Sequence, residues 1–339
     1  MREPHREPAG RSTSTHAGVG ALGRGPVSVL GEPAVVAVDL GGGSAKVAWC
    51  TGPGDLVGER VVEVGDLRAD GGDLLTGLGR LVRRTADAAP AGLDVRGVGL
   101  AAPGIHDGAT GVVRLSLMLD LHDVPLRDRV EEAAGLPVRL VHDVAAGATA
   151  EGRLGAAAGH EDWLFLALGT GLGSTLVLRG RPYRGATGWG GELGHVVVDP
   201  AGPVCPCGKR GCLETLMGAA ALQARYRDRT GRDRTAREVL DAAAAGDDDA
   251  EAVWRTAVAA LAEVIAGVVE VLEPSLVVVG GGLAASAAPL LPPLRAALAE
   301  QVRLVGAPPP VVPARLGRLA GLHGAALAGL DLAGPPAVG

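Results

Sequence analysis

The sequence predicts an α/β protein made of two related halves with a cleft between them. An apolar strand at 34–39 leads into a glycine-rich turn at 40–44, and the same pattern returns with a strand at 163–168 and a turn at 169–174. Helical patterns separate the apolar strands, and strands that alternate with helices are typical of α/β folds. Because the strand–turn–strand motif opens both halves, we expect a duplicated fold.

The remaining elements follow from apolar periodicity and from the positions of proline and glycine. After each turn the chain is expected to continue as a strand, at 46–49 in the first half and at 175–178 in the second. Helices are predicted at 72–89, 126–134, 219–230 and 250–272. The last of these stops before Pro274, and a third apolar strand at 276–279 then runs into further glycines.

Composition limits the classes of function. The chain has 339 residues, 47% of them hydrophobic, which is enough for two domains with sizeable cores. Its formal net charge of −6 gives no basic surface for nucleic acid or an anionic membrane, so neither partner is expected. The apolar run at 275–291 is interrupted by glycines and a proline, which argues against a membrane span.

The N-terminus and the cysteines indicate the cellular location. Residues 1–33 are rich in Arg, Gly, Pro, Ser and His without apolar periodicity, so a disordered leader is expected there. This segment lacks the apolar core of a signal peptide. Cys50 is the only cysteine outside a cluster at 205–212, so no disulfide framework is expected and a reducing, cytoplasmic location fits.

The segment 188–214 carries a set of metal-ligand residues. Three of the four cysteines follow one histidine within a short stretch, and the candidate ligands are His195, Cys205, Cys207 and Cys212. One imidazole and three thiolates are the ligand set of a closed tetrahedral site, so structural Zn²⁺ is predicted. A redox pair, or a surface loop with chance cysteines, is the alternative. Glu192 and Glu214 flank the ligands, so a metal that fixes this loop would also fix two carboxylates.

The two glycine turns have the composition of a phosphate-binding site. Without Cβ atoms, several backbone N–H groups are able to converge on one anion. The hydroxyls of Ser44, Thr170 and Ser174 would add donors. Asp39 ends the first strand, where a carboxylate is useful to phosphate only through Mg²⁺. Neither turn has the spacing of a Walker loop, and a plain glycine hairpin is the alternative for each turn taken alone.

Asp143 is the candidate base for removing a hydroxyl proton. It follows an apolar strand and opens an alanine-rich helix, which places its carboxylate at a helix N-terminus. Asp is also among the best N-cap residues, so a purely structural role explains the same position. The spacing alone does not separate these two interpretations.

Together these motifs resemble the ROK family of sugar kinases and related repressors, whose members have the actin/hexokinase-like ATPase fold. The resemblance runs over about 35–330. Its most specific part is the zinc segment, with a Gly-x-x-Gly-Glu-x-Gly-His run at 188–195 and a Cys-x-Cys-Gly-x-x-Gly-Cys-x-Glu run at 205–214. The Ala-Pro-Gly loop at 102–104 matches the segment that precedes the family's sugar loop.

This resemblance implies a role for each motif. Asp143 is the general base. Glu192, His195 and Glu214 hold sugar hydroxyls, and His195 also binds zinc through its other ring nitrogen. The implied ATP and Mg²⁺ site consists of Asp39, Gly41, Gly42, Ser44, Lys46, Gly169, Thr170, Gly171, Gly173, Gly281 and Gly282. The cofactors implied are ATP, Mg²⁺ and structural Zn²⁺, and the expected assembly is a homodimer.

The resemblance also implies domain boundaries. An N-terminal α/β domain over 34–145 would carry the first turn and the sugar loop. A C-terminal α/β domain over 146–318 would carry the second turn, the zinc loop and the Gly-Gly-Gly-Leu run at 280–283, which resembles the family's adenosine-side motif. A C-terminal helix over 319–332 would return to the N-terminal domain. Because both turns act on one nucleotide, the domains are expected to approach each other for catalysis.

Two departures from the family's pattern lie among the residues expected to bind the acceptor substrate. The catalytic run usually reads Asn-Asp-x-Asn but here begins with His142, and the sugar loop usually has an asparagine where this chain has Met118. Two amides that bind sugar hydroxyls are thus replaced, which is costly for the sugar that used them. These replacements are explained either by sequence drift that the enzyme tolerates or by a different acceptor substrate, and the second explanation is favoured. In the first phosphate motif Gly43 replaces the usual threonine, and Ser44 is expected to supply the hydroxyl.

Three classes of function remain. The sequence favours an ATP-dependent kinase acting on the primary hydroxyl of a hexose or hexose-like polyol. The altered sugar loop favours a C7 cyclitol of natural-product biosynthesis, with an ordinary glucokinase of primary metabolism as the alternative. A ROK-type sugar-responsive repressor would need a winged helix-turn-helix, for which the residues ahead of position 34 are too few and too irregular. A non-catalytic sugar sensor is disfavoured because Asp39 and Asp143 are both present.

Overall fold

Two five-stranded sheets organise the part of the chain described by the computed structural model, residues 31–284, 290–303 and 306–333. The strands of the first half are β1 (Glu32–Leu40), β2 (Ser44–Cys50), β3 (Leu56–Glu63), β4 (Leu93–Ala102), β5 (Ile105–Asp107), β6 (Val112–Ser116), β7 (Leu121–Val124) and β8 (Val138–His142). Its helices are α1 (Val64–Gly71), α2 (Leu74–Asp87), α3 (Leu126–Ala134) and α4 (Asp143–Leu154). The first sheet has the order β3-β2-β1-β4-β8, and β5, β6 and β7 form a separate small sheet.

The second half repeats this arrangement. Its strands are β9 (Trp163–Leu168), β10 (Leu172–Leu178), β11 (Arg181–Pro182), β12 (Val277–Gly280) and β13 (Val311–Pro313), in the order β11-β10-β9-β12-β13. Its helices are α5 (Ala219–Thr230), α6 (Ala236–Ala244), α7 (Asp248–Leu272), α8 (Leu291–Gln301) and α9 (Ala320–Ala333). In both sheets the central strand, β1 or β9, pairs antiparallel with the strand after the glycine turn and parallel with a later strand. The predicted α/β fold with two related halves is therefore confirmed.

β1 is buried on both faces because helices cover both sides of the first sheet. Val36 and Val38 pack in a cluster with residues of α1, α2 and α3, whereas Val35 and Ala37 pack in a cluster with residues of α9. A strand covered on both faces is a nearly continuous apolar run, which made this strand recognisable in the sequence. α9 follows the second half in the chain and yet packs against β1, β4 and β8.

Among the described helices, α7 is long and apolar enough to cross a membrane by length and composition. The mean hydropathy of its most apolar 18-residue window is 1.7, and 67% of that window is buried inside the protein. The buried side chains Trp254, Leu261 and Ile265 belong to the main apolar cluster of the second half. α7 is therefore the central core helix of this half.

Two local expectations needed correction. The helix predicted at 72–89 is present as α2 (Leu74–Asp87), but α1 (Val64–Gly71) before it was not predicted, and the left-handed Gly72 with φ of 76° ends α1. α2 then begins after Asp73, whose side chain accepts two backbone hydrogen bonds from the first turn. The predicted leader at 1–33 lies largely outside the described residues, and β1 includes its last two residues, since this strand starts at Glu32.

Candidate active site and metal centre

The first glycine turn joins β1 to β2 and holds Asp39 beside a lysine. Lys46 Nζ donates to Asp39 Oδ2 at 2.7 Å, across the β1–β2 pair. Burial raises the pKa of Asp39, and the ion pair with Lys46 opposes that rise. The start of α9 passes so close that a Cβ on Gly321 would lie 2.7 Å from Asp39 Oδ1. Two of the predicted Mg-ATP residues therefore form a partly buried ion pair in a confined position.

Met118 lies against the first glycine turn and is open to solvent. A Cβ placed on Gly42 would be 3.0 Å from Met118 Cε, and Met118 is 57% exposed. The turn itself is closed by a hydrogen bond from Gly41 N–H to Ser44 C=O at 2.9 Å. Met118 therefore borders the phosphate turn, and its contact with an acceptor hydroxyl stays a prediction.

The second glycine turn joins β9 to β10 and lies at the N-terminus of α5. The first backbone N–H groups of α5 donate to the carbonyls of Gly169 and Thr170, at 2.9 and 3.0 Å. Gly218, with φ of 129°, has little room for a side chain, since a Cβ would lie 3.1 Å from Gly171. A helix N-terminus carries a positive partial charge, which favours a phosphate at this turn.

The third glycine motif lies beside the second turn. Leu283 N–H donates to Leu168 C=O at 2.9 Å, one residue before the turn begins. Gly281, with φ of 91°, approaches the same residue so closely that a Cβ would overlap Leu168 O. The structure thus brings Gly281 against Leu168, the residue just before the second turn, and the nucleotide contacts of Gly281 and Gly282 stay a prediction.

Asp143 is the first residue of α4 and lies next to both turns. The N-cap position belongs to His142, while Asp143 Oδ1 accepts a hydrogen bond from Val144 N–H at 2.8 Å. The Val144 side chain packs against Gly173 of the second turn. The Asp143 carboxylate is also close enough to Asp39 to raise the pKa of that carboxyl. A plain N-cap role does not describe this geometry, because the residue before Asp143 occupies the cap.

His142 and Glu192 lie beside Asp143, where the acceptor is predicted to bind. His142 Nε2 is 3.5 Å from Asp143 Oδ1 and 4.0 Å from Glu192 Oε1. Ser174 is 2% exposed, and its hydroxyl donates to the carbonyl before Glu192 and accepts from the N–H after it. Ser174 therefore holds the acceptor loop, residues 188–193, and its expected role as a phosphate donor was wrong.

The position of Glu192 disfavours its charged form. Burial raises the pKa of Glu192, and the imidazoles of His142 and His195 oppose that rise. The carboxylates of Asp143 and Glu214 raise the pKa of Glu192 further. Because the folded-state pKa lies above the unfolded value, the ionised carboxylate destabilises the fold, and this penalty disappears as pH falls through the folded-state pKa.

Glu192→Gln is therefore expected to make the protein more stable than the wild type at pH 8, by a margin that narrows at pH 5. Gln keeps the size of the side chain and one acceptor oxygen but has no charge to bury. Thermal denaturation of both proteins at the two pH values measures the margin. Glu132→Gln on the exposed surface of α3 is the control. A Glu192→Gln margin that is absent at pH 8, or equal at both pH values, would contradict the assignment.

The four predicted zinc ligands come together in the zinc loop, residues 195–212. Their ligand atoms all lie within 4.8 Å of one another and belong to His195, Cys205, Cys207 and Cys212. Cys205 Sγ is 3.5 Å from His195 Nδ1, and Cys207 Sγ is 3.6 Å from Cys212 Sγ. Tetrahedral Zn²⁺ with Zn–S bonds of about 2.3 Å and Zn–N bonds of about 2.0 Å needs ligand separations of roughly 3.5–3.8 Å. The donor set therefore fits Zn²⁺.

Glu214 connects the zinc loop to the second glycine turn. Its Oε1 atom lies 3.1 Å from Cys205 Sγ and 3.6 Å from His195 Nδ1. Its Oε2 atom would be 3.3 Å from a Cβ on Gly171. A metal that fixes this loop would therefore also fix a carboxylate beside the phosphate turn. With His195 Nδ1 directed at the thiols, Nε2 is the ring nitrogen left for the predicted contact with the acceptor.

The structure adds two residues to the site that the sequence alone did not indicate. Arg184 lines the same small pocket as His142 and Glu192, and donates to His106 C=O at 3.2 Å. His106 is 4% exposed, and the centroid of its ring lies 5.8 Å from that of His142. The one available signal was the loop at 102–104, which leads directly to His106.

Comparison with known proteins gives a consistent result. The ROK family model matches residues 35–330. Glucokinase from Thermotoga maritima is 33% identical over 285 residues, covering 79% of this chain and 88% of that protein. Kanosamine kinase from Amycolatopsis mediterranei is 35% identical over 316 residues, covering 90% of this chain and 99% of that protein.

A solved structure agrees with these relatives. The ROK family glucokinase from Streptomyces griseus, crystallised in complex with glucose and AMPPNP, superposes with a TM-score of 0.75 at 28% identity. The superposition covers 87% of this chain and 99% of that one. The fold, the family match and the sequence relatives thus point the same way. The chain belongs to the ROK family and is a homologue of its sugar kinases.

Proposed function

We propose that this protein is an ATP-dependent kinase that phosphorylates the primary hydroxyl of a hexose or a hexose-like polyol. The observation that carries the proposal is the position of Asp143, next to both glycine turns and close to His142 and Glu192. Phosphoryl transfer to a hydroxyl needs a proton acceptor between the phosphate site and the acceptor site. The sugar kinase relatives support the same activity.

In the proposed reaction the acceptor hydroxyl lies within hydrogen-bond reach of Asp143. Asp143 takes the hydroxyl proton as the oxygen bonds to the γ-phosphorus of ATP, and ADP leaves with the electron pair of the broken P–O bond. Glu192, His195 and Glu214 bind other hydroxyls and fix the orientation of the acceptor. Phosphoryl transfer depends mainly on positioning and charge stabilisation, so this orientation is a large part of catalysis.

The donor side is proposed to hold ATP across the two glycine turns. Gly169, Thr170 and Gly171 would bind phosphate from the second half, and Ser44 from the first. Asp39 would hold Mg²⁺, which neutralises charge on the phosphates when bound. Zinc is proposed as a structural ion, because four protein ligands fill its coordination and leave no position for a reactive water.

A C7 cyclitol is the acceptor that we propose from the departures at Met118 and His142. A thioether accepts hydrogen bonds only weakly, so Met118 is a poor substitute for an amide. A sugar hydroxyl directed at Met118 would lose a partner, whereas an acceptor without a hydroxyl at that place would not. The exposed position of Met118 beside Gly42 places it where an acceptor would approach the phosphate turn.

An amino hexose is the second candidate acceptor. The kanosamine kinase relative covers nearly the whole of both chains, which supports an amino sugar. The cluster of carboxylates at Asp143, Glu192 and Glu214 supports it further, because a cationic acceptor is attracted to such a site.

A kinase assay against glucose, amino hexoses and C7 cyclitols tests the function directly. Production of ADP should depend on the acceptor, and NMR of the product should place the phosphate on the primary hydroxyl. Absence of phosphorylation for every acceptor would contradict the kinase proposal. A glucose preference of about tenfold or more over all other acceptors, which corresponds to about 1.4 kcal/mol, would contradict the altered substrate.

Met118→Asn is expected to raise kcat/KM for glucose by about 5- to 150-fold, because the amide restores a partner to a hydroxyl that the closed cleft would bury. The value for the C7 cyclitol should rise less. Leu117→Asn is the matched control, since Leu117 is adjacent and equally open to solvent, at 53% exposure. Unchanged glucose kinetics in Met118→Asn would show that this side chain does not select the acceptor.

The assembly is also a proposal. We propose a cytoplasmic homodimer without a nucleic-acid or membrane partner, consistent with the net charge of −6. Light scattering coupled to size-exclusion chromatography measures the mass in solution, and a monomer would contradict the proposed dimer.

A further inference from the structure

Arg184 carries a positive charge that no carboxylate among the described residues neutralises. Its Nη2 atom donates to His106 C=O at 3.2 Å, and this is the one hydrogen bond that the guanidinium forms with the described part of the chain. Asp107 directly follows His106, but its carboxylate pairs with Arg114 at 3.1 Å. A guanidinium has five N–H groups, so most of those of Arg184 remain available to another partner.

The main chain fixes Arg184 in the wall of the small pocket that also contains His142 and Glu192, which we call the acceptor pocket. The C=O of Arg184 accepts from Gly190 N–H at 3.0 Å, and a Cβ on Gly190 would lie 2.7 Å from the carbonyl carbon of Arg184. The guanidinium extends from the second half of the chain to β5 of the first half, where His106 lies. An acceptor in this pocket would therefore lie close to the charge of Arg184.

Charges of both signs surround His142. Its Nε2 atom is 3.5 Å from Asp143 Oδ1 and 4.0 Å from Glu192 Oε1. The centroid of its ring is also 5.8 Å from that of His106, the residue whose C=O holds Arg184. Burial lowers the pKa of His106 to about 3, and the nearby His142 and Arg184 lower it further, so this imidazole is neutral near pH 7. Arg184 is therefore the permanent positive charge that faces the two carboxylates.

An acceptor with an ammonium group meets two opposing effects in the acceptor pocket. The carboxylates of Asp143 and Glu192 attract it, and the guanidinium of Arg184 repels it. Two like charges one sugar ring apart, about 7 Å, at an effective dielectric constant of about 40 repel each other enough to change a binding ratio roughly sevenfold. A neutral hydroxyl in place of the ammonium is not repelled and is able to accept a hydrogen bond from the guanidinium.

We propose that Arg184 sets the charge selectivity of the acceptor pocket, because its guanidinium donates to a neutral acceptor oxygen and disfavours a cationic amine. This inference rests on the proposed kinase function and adds a specificity-determining residue to it. Asp143 and Glu192 still attract an ammonium group, so Arg184 lowers the preference for an amino hexose and does not exclude one.

The kinetic test is Arg184→Gln, which removes the charge and keeps a polar side chain. Glucosamine and glucose are the matched acceptors, compared at about pH 6, where an aliphatic amine is protonated. The ratio of kcat/KM for glucosamine to kcat/KM for glucose is expected to rise about five- to tenfold in the variant. Both rates are measured on one protein, so a partial loss of folded enzyme cancels from the ratio. An unchanged or lower ratio would overturn the proposal.

Two control variants separate the charge at this place from other effects. Arg184→Lys keeps the charge and changes the hydrogen-bond geometry, so the ratio is expected to stay within about twofold of the wild type. Arg181→Gln removes the same charge from an exposed residue of β11 outside the acceptor pocket, and the ratio is again expected to stay within about twofold. A rise in either control equal to that in Arg184→Gln would overturn the proposal. Arg184→Met repeats the test if Gln destabilises the fold.

Calorimetric binding tests the same inference without turnover. The ratio of the glucose Kd to the glucosamine Kd is expected to rise about five- to tenfold from the wild type to Arg184→Gln, both with zinc bound. Equal ratios in the two proteins would contradict the role of Arg184. Absence of phosphorylation for every acceptor would count against the proposed function alone, because the binding ratio would still report the charge selectivity of the pocket.

Discussion

Asp143→Asn is expected to lower turnover by about 100-fold or more while nucleotide binding is retained. Asn has nearly the shape of Asp and is also able to accept from the N–H of Val144, as Asp143 Oδ1 does at 2.8 Å, so the start of α4 should survive. What is lost is the proton acceptor beside the two glycine turns. Turnover at saturating substrates and calorimetric binding of an ATP analogue measure the two quantities separately.

The same substitution has a second expected consequence on the donor side. The Asp143 carboxylate is one of the causes that raise the pKa of Asp39, so its removal should leave nucleotide and Mg²⁺ binding equal or tighter. Asp128→Asn is the control, because Asp128 is an exposed aspartate in an ion pair with Arg127 at 2.9 Å. Near-normal turnover in Asp143→Asn would eliminate the assignment of the base, and the same loss in Asp128→Asn would show a general effect on folding.

Features that depend on neighbouring residues were predictable from the sequence. The four zinc ligands lie within 195–212, so their spacing already carried the geometry that the structure gives them. β1 was recognisable because helices cover both of its faces, which requires an unbroken apolar run. The short helix α1, which ends at the left-handed Gly72, was not foreseen, because its core-facing side chains Val64 and Leu67 are too few to establish a helical period.

Features that depend on distant contacts were not predictable. Ser174 was expected to bind phosphate because it follows a glycine turn. Its hydroxyl instead forms hydrogen bonds with the backbone of Gly191 and Leu193, on either side of Glu192 and 17 to 19 residues further along the chain. His106 had no motif of its own, and its place beside the site follows from a ring contact with His142 on β8. The return of α9 to the first sheet came from the family resemblance, since no periodicity in the sequence indicates where a helix packs.

The zinc loop combines both kinds of feature. Its ligands are local in sequence, but its proposed effect on the acceptor site depends on where the loop packs. Glu214 lies within 3.1 Å of Cys205 Sγ and also borders Gly171 of the second turn. Glu192 lies three residues before His195 and is held by Ser174 from β10. Loss of the metal is therefore expected to displace carboxylates on both sides of the acceptor.

Cys207→Ser is expected to reduce bound zinc well below one ion per chain, to lower Tm on the order of 10 °C, and to remove most activity. Structural Zn²⁺ contributes directly to folding free energy, and each kcal/mol lost shifts Tm by about 2–4 °C for a unit of this size. Cys50→Ser is the matched control, since Cys50 is the cysteine of the first half and its Sγ donates to Gly52 C=O at 3.0 Å, a bond that Ser is able to keep. Metal analysis, thermal denaturation and the kinase assay on both variants give the result. Wild-type protein without zinc, or full stability and activity in Cys207→Ser, would show that the cluster does not hold a structural ion.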